Sequence, residues 1–424
     1  MVAAMISDRA LRPIVLLFAA LSVATIVASM RGDSGTNTAS RLATMDALVH
    51  DGTFIIDHSV FVFTLDKVMR DGHFYSSKPP LWSTVGAGVY WVINRTTGQS
   101  LRVAASRPRA VWMLTLILGL GPHLVLLLYA FRLLRVWTQD HLAILGAFAC
   151  FALGWLGVGY AVSINNHTPA ATLLLMAFYY AHRAKRGEGS RRAWWLCGLC
   201  AGLAPTIDLS AIFVSSALAL YLLRHDWRTT LSHFALAALP PLALHFVLTY
   251  LASGGLEPVY LHHELYHYAG SYWNAPMGID ALHEPRSLYL FHMLLGHHGL
   301  LTMTPVLWLA LVGLGREFGR AHPRRLEALV VAGSLVALVV FYLFTTTNYG
   351  GLCVGFRWLL PAVPLLLLYV ASFITTARHR LLAVALVAIF LVVNSYSLWD
   401  ALATPWQVSR WQMQLAALGF SSPT

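Results

Sequence analysis

Apolar runs of about 17–25 residues recur along the whole chain, most of them long enough to cross a bilayer as one helix. They fall at 12–30, 108–131, 141–162, 168–183, 194–207, 209–223, 231–251, 289–314, 327–345, 358–376 and 381–399. Short polar segments separate them. The pattern predicts an all-α polytopic membrane protein, one domain over 1–424 with about 11 transmembrane helices. The first run follows Arg9 and Arg12 and reads as a retained signal-anchor helix. The runs 194–207 and 209–223 form one apolar stretch broken by Pro205 and Asp208, so two short helices are expected to meet at Asp208. Within the polar segment 31–107, residues 37–50 carry Leu42, Met45, Leu48 and Val49 at helical spacing. That spacing predicts a short amphipathic helix lying on the membrane.

Charge fixes the expected orientation. Lys and Arg concentrate in alternate loops: five in 182–192, four in 316–325, two each in 132–140, 224–228 and 377–380. The loops between them are poor in both: 163–168 has none, 252–288 has only Arg286, and 346–357 has only Arg357. The positive-inside rule then places the N-terminus in the cytoplasm. The segments 31–107, 163–168, 252–288 and 346–357 fall outside the plasma (inner) membrane. This parity constrains KPPLWSTVGAGVYWVI, 78–93, which is apolar over only about 15 residues past its prolines. One crossing there would turn every later basic loop outward, so the stretch is expected to lie in the interface or re-enter.

Composition narrows the function classes. The chain is 58% hydrophobic and only 11% charged, against roughly 25% charged in soluble domains. Its net charge of +11 follows the loop pattern of membrane topology, so no nucleic-acid partner is expected. Cys197 and Cys200 form C-x-x-C inside the apolar run WWLCGLCAGLA, which favours helix packing over redox or zinc chemistry.

The unusual polar residues gather in the outer segments. HHELYH, 262–267, contains the H-E-x-x-H of helical zinc peptidases. On a helix, His263 and His267 share a face that can hold a metal, with Glu264 as base and Glu284 downstream as a further ligand. The motif follows a Gly-Gly-x-x-Pro turn in a loop dense in Tyr266, Tyr268, Tyr272 and Trp273, a setting that suits sugar stacking. Asp33, just past the first helix, reads either as an N-cap or as a carboxylate that deprotonates an acceptor. Asn165 and His167 sit at a helix start as caps or sugar contacts. Lys78, Arg102, Arg107 and Arg357 are outward cations that can grip a lipid phosphate or anchor on headgroups. Arg357 follows a glycine-rich loop that includes Tyr349.

The first helix with an acidic residue at its outer end, the interfacial helix ending in Asp51-Gly52, and F-Y-S-S-K-P-P-L at 74–81 resemble the GT-C glycosyltransferases. That superfamily includes lipid-A aminoarabinose transferases and protein O-mannosyltransferases. The K-P-P-L is the most specific match. GLAPTIDLSA and GFRWLLPAVPLLL resemble later family segments, with Asp208 at or near a usual lysine. Two departures stand out: Asp33-Ser34 replaces an acidic pair, and Ser77 replaces an acidic residue before K-P-P. The resemblance implies a GT-C-like fold and transfer of a sugar from a polyprenyl-phosphate donor to an acceptor, outside the membrane, in the cell envelope. It implies Asp33 as base, and Lys78, Arg102, Arg107, Asn165, His167, Tyr268, Trp273, Tyr349 and Arg357 as substrate contacts. No cofactor is certain; a divalent metal at His263 and His267 is one option. Two alternatives stay open: an intramembrane zinc peptidase on His263, Glu264 and His267, and a non-catalytic transporter or flippase of lipid-linked sugars.

Overall fold

Glycine, proline and capping residues cut the apolar chain into helices at physically recognisable points. The computed structural model describes residues 8–31, 35–188, 190–319 and 322–419. Helix α1 spans Asp8–Ser29 and α2 Thr36–His50; a hairpin follows, with β1 Lys67–Arg70 antiparallel to β2 His73–Ser76. Its turn residues Asp71 and Gly72 both have positive φ, 52° and 82°, the geometry that a two-residue Asp-Gly hairpin turn requires. Helix α3, Pro80–Thr97, starts on a proline, whose missing N–H costs nothing there, and ends at Gly98 with φ +71°.

The long helix α4, Arg107–Trp137, accommodates Pro122 next to a π turn over Leu116–Leu120. Helix α5, His141–Leu153, is capped by Asp140, whose carboxylate accepts from Leu142 and Ala143 N–H at 3.0 and 3.3 Å. Then come α6 His167–Lys185 and α7 Ser190–Ile207. As the sequence suggests, the chain turns at Asp208, which caps the start of α8, Leu209–His225. Next are α9 Trp227–Ser253, α10 Arg286–Leu294, α11 Leu307–Arg316, α12 Arg325–Thr345, α13 Arg357–Thr375, α14 Arg380–Ala403 and α15 Arg410–Ala417.

Six of these helices are long and apolar enough to cross a membrane: α1, α4, α9, α12, α13 and α14. Helix α13 is the centre of the bundle, 89% buried, whereas α1, α12 and α14 are only 22–28% buried. Large apolar side chains on the periphery, such as Leu16, Leu220 and Val392, are exposed, an arrangement that lipid tolerates and water penalises. The run 289–314 departs from expectation. Gly296, Gly299 and Pro305 divide it into pieces, and α11, at 10 residues, is about 15 Å long. Helix α2 also departs: Asn37 through Ala47 are buried on all sides, because its polar side chains are bonded inside the protein.

The C-x-x-C is a packing element. Cys197 and Cys200 are free and buried, and Cys197 Sγ lies 3.2 Å from the Ala177 carbonyl of α6. The flanking Gly198 and Gly202 let α7 approach α9 backbone to backbone, a small-xxx-small contact. A Cβ at 198 collides with the Phe234 carbonyl oxygen, and one at 202 falls 2.7 Å from that of Ala238. Gly198→Val is expected to destabilise by about 1–3 kcal/mol or more through overpacking. A Cβ at Gly88 meets nothing within 4 Å, so Gly88→Ala is expected to be neutral or stabilising by up to about 1 kcal/mol. Thermal unfolding of the two variants in detergent checks the contrast.

Candidate functional site

The hairpin builds the centre of the site. Pairing Lys67 with Ser76 brings the next residues out, Asp66 and Ser77, into register, and Ser77 N–H donates to Asp66 O at 3.1 Å. One residue further, Lys78 Nζ reaches Asp66 Oδ1 at 2.8 Å. Pro79 and Pro80 then hold the backbone that carries Lys78. Ser40 of α2 locks the hairpin to the helix, donating to Asp66 O at 2.5 Å and touching Ser76 Oγ at 2.6 Å.

Helix α2 adds Arg41, 1% exposed. Its guanidinium donates to Asn37 O at 2.9 Å, to the Asn37 side chain, and to Asn166 Oδ1 at 2.6 Å. These three bonds go to neutral acceptors, so they orient the guanidinium without neutralising its charge. Arg357, at the start of α13, lies over the Trp406 ring at 5.1 Å, and its buried Nε has no hydrogen-bond partner among the described residues. Behind them, His167 Nδ1 meets Asp208 Oδ2 at 2.7 Å, with both side chains buried.

These groups share one field. Burial lowers Lys78 to about 8; Asp66 opposes that shift, while the Arg357 and Arg41 charges add to it. Burial likewise lowers Arg41 to about 10, with Arg357 contributing. Burial alone raises Asp66, but Lys78 outweighs it, and Arg357 and Arg41 add to the net fall below the usual carboxylate range. Asp208 is also held low, its burial outweighed by His167 and Ser210. Three cations around Asp66 and the His167–Asp208 pair leave the pocket electropositive, the condition for receiving an anion.

The other residues singled out from the sequence fall in different settings. Arg102 is paired with two carboxylates, Asp46 at 2.9 Å and Asp51 at 2.5 Å. Arg107 donates to Leu101 O at 2.8 Å and lies over Phe61. Asn165 spends its amide inside its own loop: it donates to Tyr160 O and Ser163 O and accepts from Thr168. Trp273 Nε1–H donates to Leu65 O at 3.1 Å, next to Asp66, and Tyr268 packs edge-on against Phe74 of β2. The aromatic loop thus covers the hairpin. Tyr349 has φ 55° and donates its hydroxyl to Glu284. Asp33 lies outside the described residues.

H-E-x-x-H does not form the α-helix it needs. Residues His263–Tyr266 make a 3₁₀ turn, and His267 is already outside it. His262, not His263, meets Glu264, at 3.1 Å, while His267 Nδ1 contacts Asn274 Oδ1 at 3.0 Å. Between the Gly-Gly-x-x-Pro entry at 254–258 and the Tyr-Ala-Gly exit at 268–270 the chain makes two short 3₁₀ turns, Val259–Leu261 and His263–Tyr266. Among the described residues, the group whose ligand atoms converge is Glu284, His292 and His297, and it does not include His263 or His267.

Arg41 and Asp66 are not visible as site residues from any single motif. The available signal is V-M-R-D-G-H-F-Y, an Asp-Gly turn between apolar residues that marks a hairpin and so brings residue 66 to residue 78.

No family model and no curated protein matches the chain. Solved structures do. ArnT from Cupriavidus metallidurans in the apo state superposes with a TM-score of 0.58 at 15% identity, over 92% of this chain and 75% of that one. The same protein bound to undecaprenyl phosphate gives 0.56 at 15%, over 91% and 69%. The oligosaccharyltransferase of Archaeoglobus fulgidus in complex with Zn and sulfate gives 0.57 at 12%, over 97% of this chain and 56% of that one. The chain therefore spans little more than half of that archaeal protein. At these identities the likeness is one of fold: this chain has the fold of the GT-C glycosyltransferases.

Proposed function

We propose that the protein transfers a sugar from a polyprenyl-phosphate donor to an acceptor on the outer face of the membrane. The observation that carries the reading is the excess of cations sheltered from water around Asp66: Arg41, which is buried, and Lys78 and Arg357, which are partly so. The bound state of ArnT, which holds undecaprenyl phosphate, supports this donor class. The outer face is supported by the basic loops 182–192 and 316–325, which belong at the opposite end from Lys78 by the positive-inside rule.

In this reading Lys78 and Arg357 hold the donor phosphate, and Arg41 adds long-range charge. The acceptor hydroxyl or amine attacks the anomeric carbon and the carbon–oxygen bond to phosphate breaks. The polyprenyl phosphate leaves with that bond's electron pair, and Asp33 takes the acceptor's proton. Cations fixed before the reaction stabilise the leaving charge without reorganisation. Trp273 and Tyr268 offer stacking faces above the hairpin, whereas His167, Asn165 and Tyr349 are buried and bonded within the protein, so they support the site rather than face the donor. Arg107 and Arg102 lie at the rim, where Arg102 is held by carboxylates and serves the donor less than Arg357 does. A divalent cation bound nearby would supply Lewis-acid charge to a phosphate.

The test is turnover of a panel of polyprenyl-phosphate sugars by purified protein, read as release of free polyprenyl phosphate. Absence of release from every donor, in the presence of membrane lipid, glycan and peptide acceptors, overturns the reading.

Three variants sharpen it. Asp33→Asn is expected to lose about 10²–10⁴ in rate with donor binding retained, because it removes the proton acceptor and little volume. Arg357→Ala is expected to weaken donor binding by about 1.5–3 kcal/mol, the worth of a charge-assisted contact. Arg102→Ala instead is expected to lower thermal stability, by less than the roughly 3–5 kcal/mol of a fully buried pair, because Arg102 is a third exposed.

Lys78 gives the pH signature. Held at about 8 in the free site, it is charged below that pH and neutral above it. Donor affinity is therefore expected to fall as pH rises through about 8. Lys78→Arg, charged throughout, is expected to flatten that profile; an unchanged profile in the variant removes Lys78 from the donor site.

A further inference from the structure

The chain breaks at 295–299 between α10 and α11, and imidazoles crowd the break. His292 and His297 stack with ring centroids 4.0 Å apart, and both are buried. Glu284, from the end of the aromatic loop, reaches the same point. One ligand atom each from Glu284, His292 and His297 lies within 4.8 Å of the others. His292 Nε2 is wholly buried and, among the described residues, has no hydrogen-bond partner, a state that costs free energy unless something binds it. His297 Nδ1 lies 2.6 Å from His298 Nδ1, which leaves its other nitrogen for a ligand role.

We infer that Glu284, His292 and His297 form a site for a divalent transition metal of the zinc class, separate from the H-E-x-x-H sequence. Two imidazoles and a carboxylate are a zinc donor set with one coordination position left open, and the mixed nitrogen and oxygen ligands disfavour calcium and magnesium. The surroundings supply the outer partners such a set needs. Tyr349 donates to one oxygen of Glu284, orienting the carboxylate. With the metal on the free nitrogen of His297, its Nδ1 proton goes to His298, which fixes the tautomer. Nothing comparable surrounds His263 or His267, since His263 stands in an exposed turn and His267 is bonded to Asn274.

The metal ties together three segments that no continuous helix joins: the end of the 252–288 loop, α10 and the Gly-His-His-Gly break. Through Tyr349 it also reaches the loop that delivers Arg357. Tyr349 stacks on Tyr289 at 4.2 Å and on His298 at 5.3 Å, and His298 O accepts from Phe356 N–H at 2.9 Å. The site is thus a staple beside the proposed donor pocket, and its existence does not depend on the sugar-transfer reading.

The experiment is Co²⁺ titration of chelator-stripped full-length protein in detergent, read by visible d–d absorption, with competition by Zn²⁺. One Co²⁺ per chain is expected, with nitrogen-rich tetrahedral or five-coordinate bands, displaced by Zn²⁺. His292→Ala and His297→Ala are expected to weaken binding by more than roughly hundredfold, beyond the range of outer-partner losses. Should either fail to fold, Glu284→Gln keeps the side-chain volume and is expected to shift the bands and weaken binding. Tyr349→Phe is expected to keep the stoichiometry and weaken affinity roughly tenfold. A double His263→Ala, His267→Ala variant is expected to bind as wild type does. The inference is overturned by no stoichiometric Co²⁺ in the wild type, by unchanged bands and affinity in Glu284→Gln, or by loss of binding in the His263, His267 double variant.

Discussion

The largely buried pair of Lys78 and Asp66, 14% and 20% exposed, is the interaction on which the outer half of the molecule depends. Two charges leave water at several kcal/mol each, and only near-ideal geometry offsets that cost. The hairpin register, the Pro79-Pro80 step and the Ser40 bonds supply it. Yet two carboxylates, Asp66 and Asp208, do not balance the three cations around them. Among the described residues, Arg41 hydrogen-bonds to asparagines rather than to a carboxylate, and Arg357 Nε is buried without a hydrogen-bond partner. A structure that keeps such cations unneutralised gives up stability there. Sites that break a local rule in this way are where function is expected.

The opposite end of the bundle shows what balanced buried charge looks like. Glu327 of α12 meets Lys185 at 2.9 Å and accepts from Tyr221 at 2.8 Å, with His182 nearby. Glu317 meets Arg324 at 2.8 Å and accepts from Ser372. Each carboxylate there has its own cation and hydroxyl, and each pins a basic loop to the helices. The same residue types therefore serve anchoring at one end and leave an electrostatic excess at the other. Composition and net charge are blind to that difference, which lies in pairing.

Hydropathy and proline–glycine punctuation made most helices legible, because span length is dictated by the bilayer and Asp208 is a plain break. Legibility failed where partners are distant. The pattern of Leu42, Met45, Leu48 and Val49 announces a helix but says nothing of its polar face, which turned inward because Asn166 and the hairpin receive Arg41 and Ser40. Arg102 looks like a free outward cation until Asp46 and Asp51 are placed beside it. H-E-x-x-H was misleading because the motif carries meaning only on an α-helix, and the local chain makes a 3₁₀ turn. The backbone settings of Lys78 and Arg357, by contrast, were legible, because prolines and glycines fix them whatever the rest of the fold does.

Arg357 shows how far that backbone control extends. The loop ahead of it runs through positive φ at Tyr349, Gly350, Gly351 and Gly355. Three of these are glycines, at which such angles are cheap; Tyr349 is not, and a non-glycine residue held there costs of order 1–3 kcal/mol. The cost is borne because Tyr349 is clamped between Tyr289 and His298 and bonded to Glu284. Further along, Val354 N–H donates to Pro405 O at 2.9 Å and Val354 O accepts from the Tyr160 hydroxyl at 3.1 Å. A Cβ at Gly350 falls 3.0 Å from Arg357 Nε, so the loop backbone itself is one wall of the guanidinium's position. Rigid delivery of this kind removes the entropy that a long side chain otherwise loses when it grips an anion. The same loop joins the histidine cluster to the cation pocket: Tyr349 stacks on His298 at one end of it, and Phe356, next to Arg357, donates its N–H to His298 O at the other.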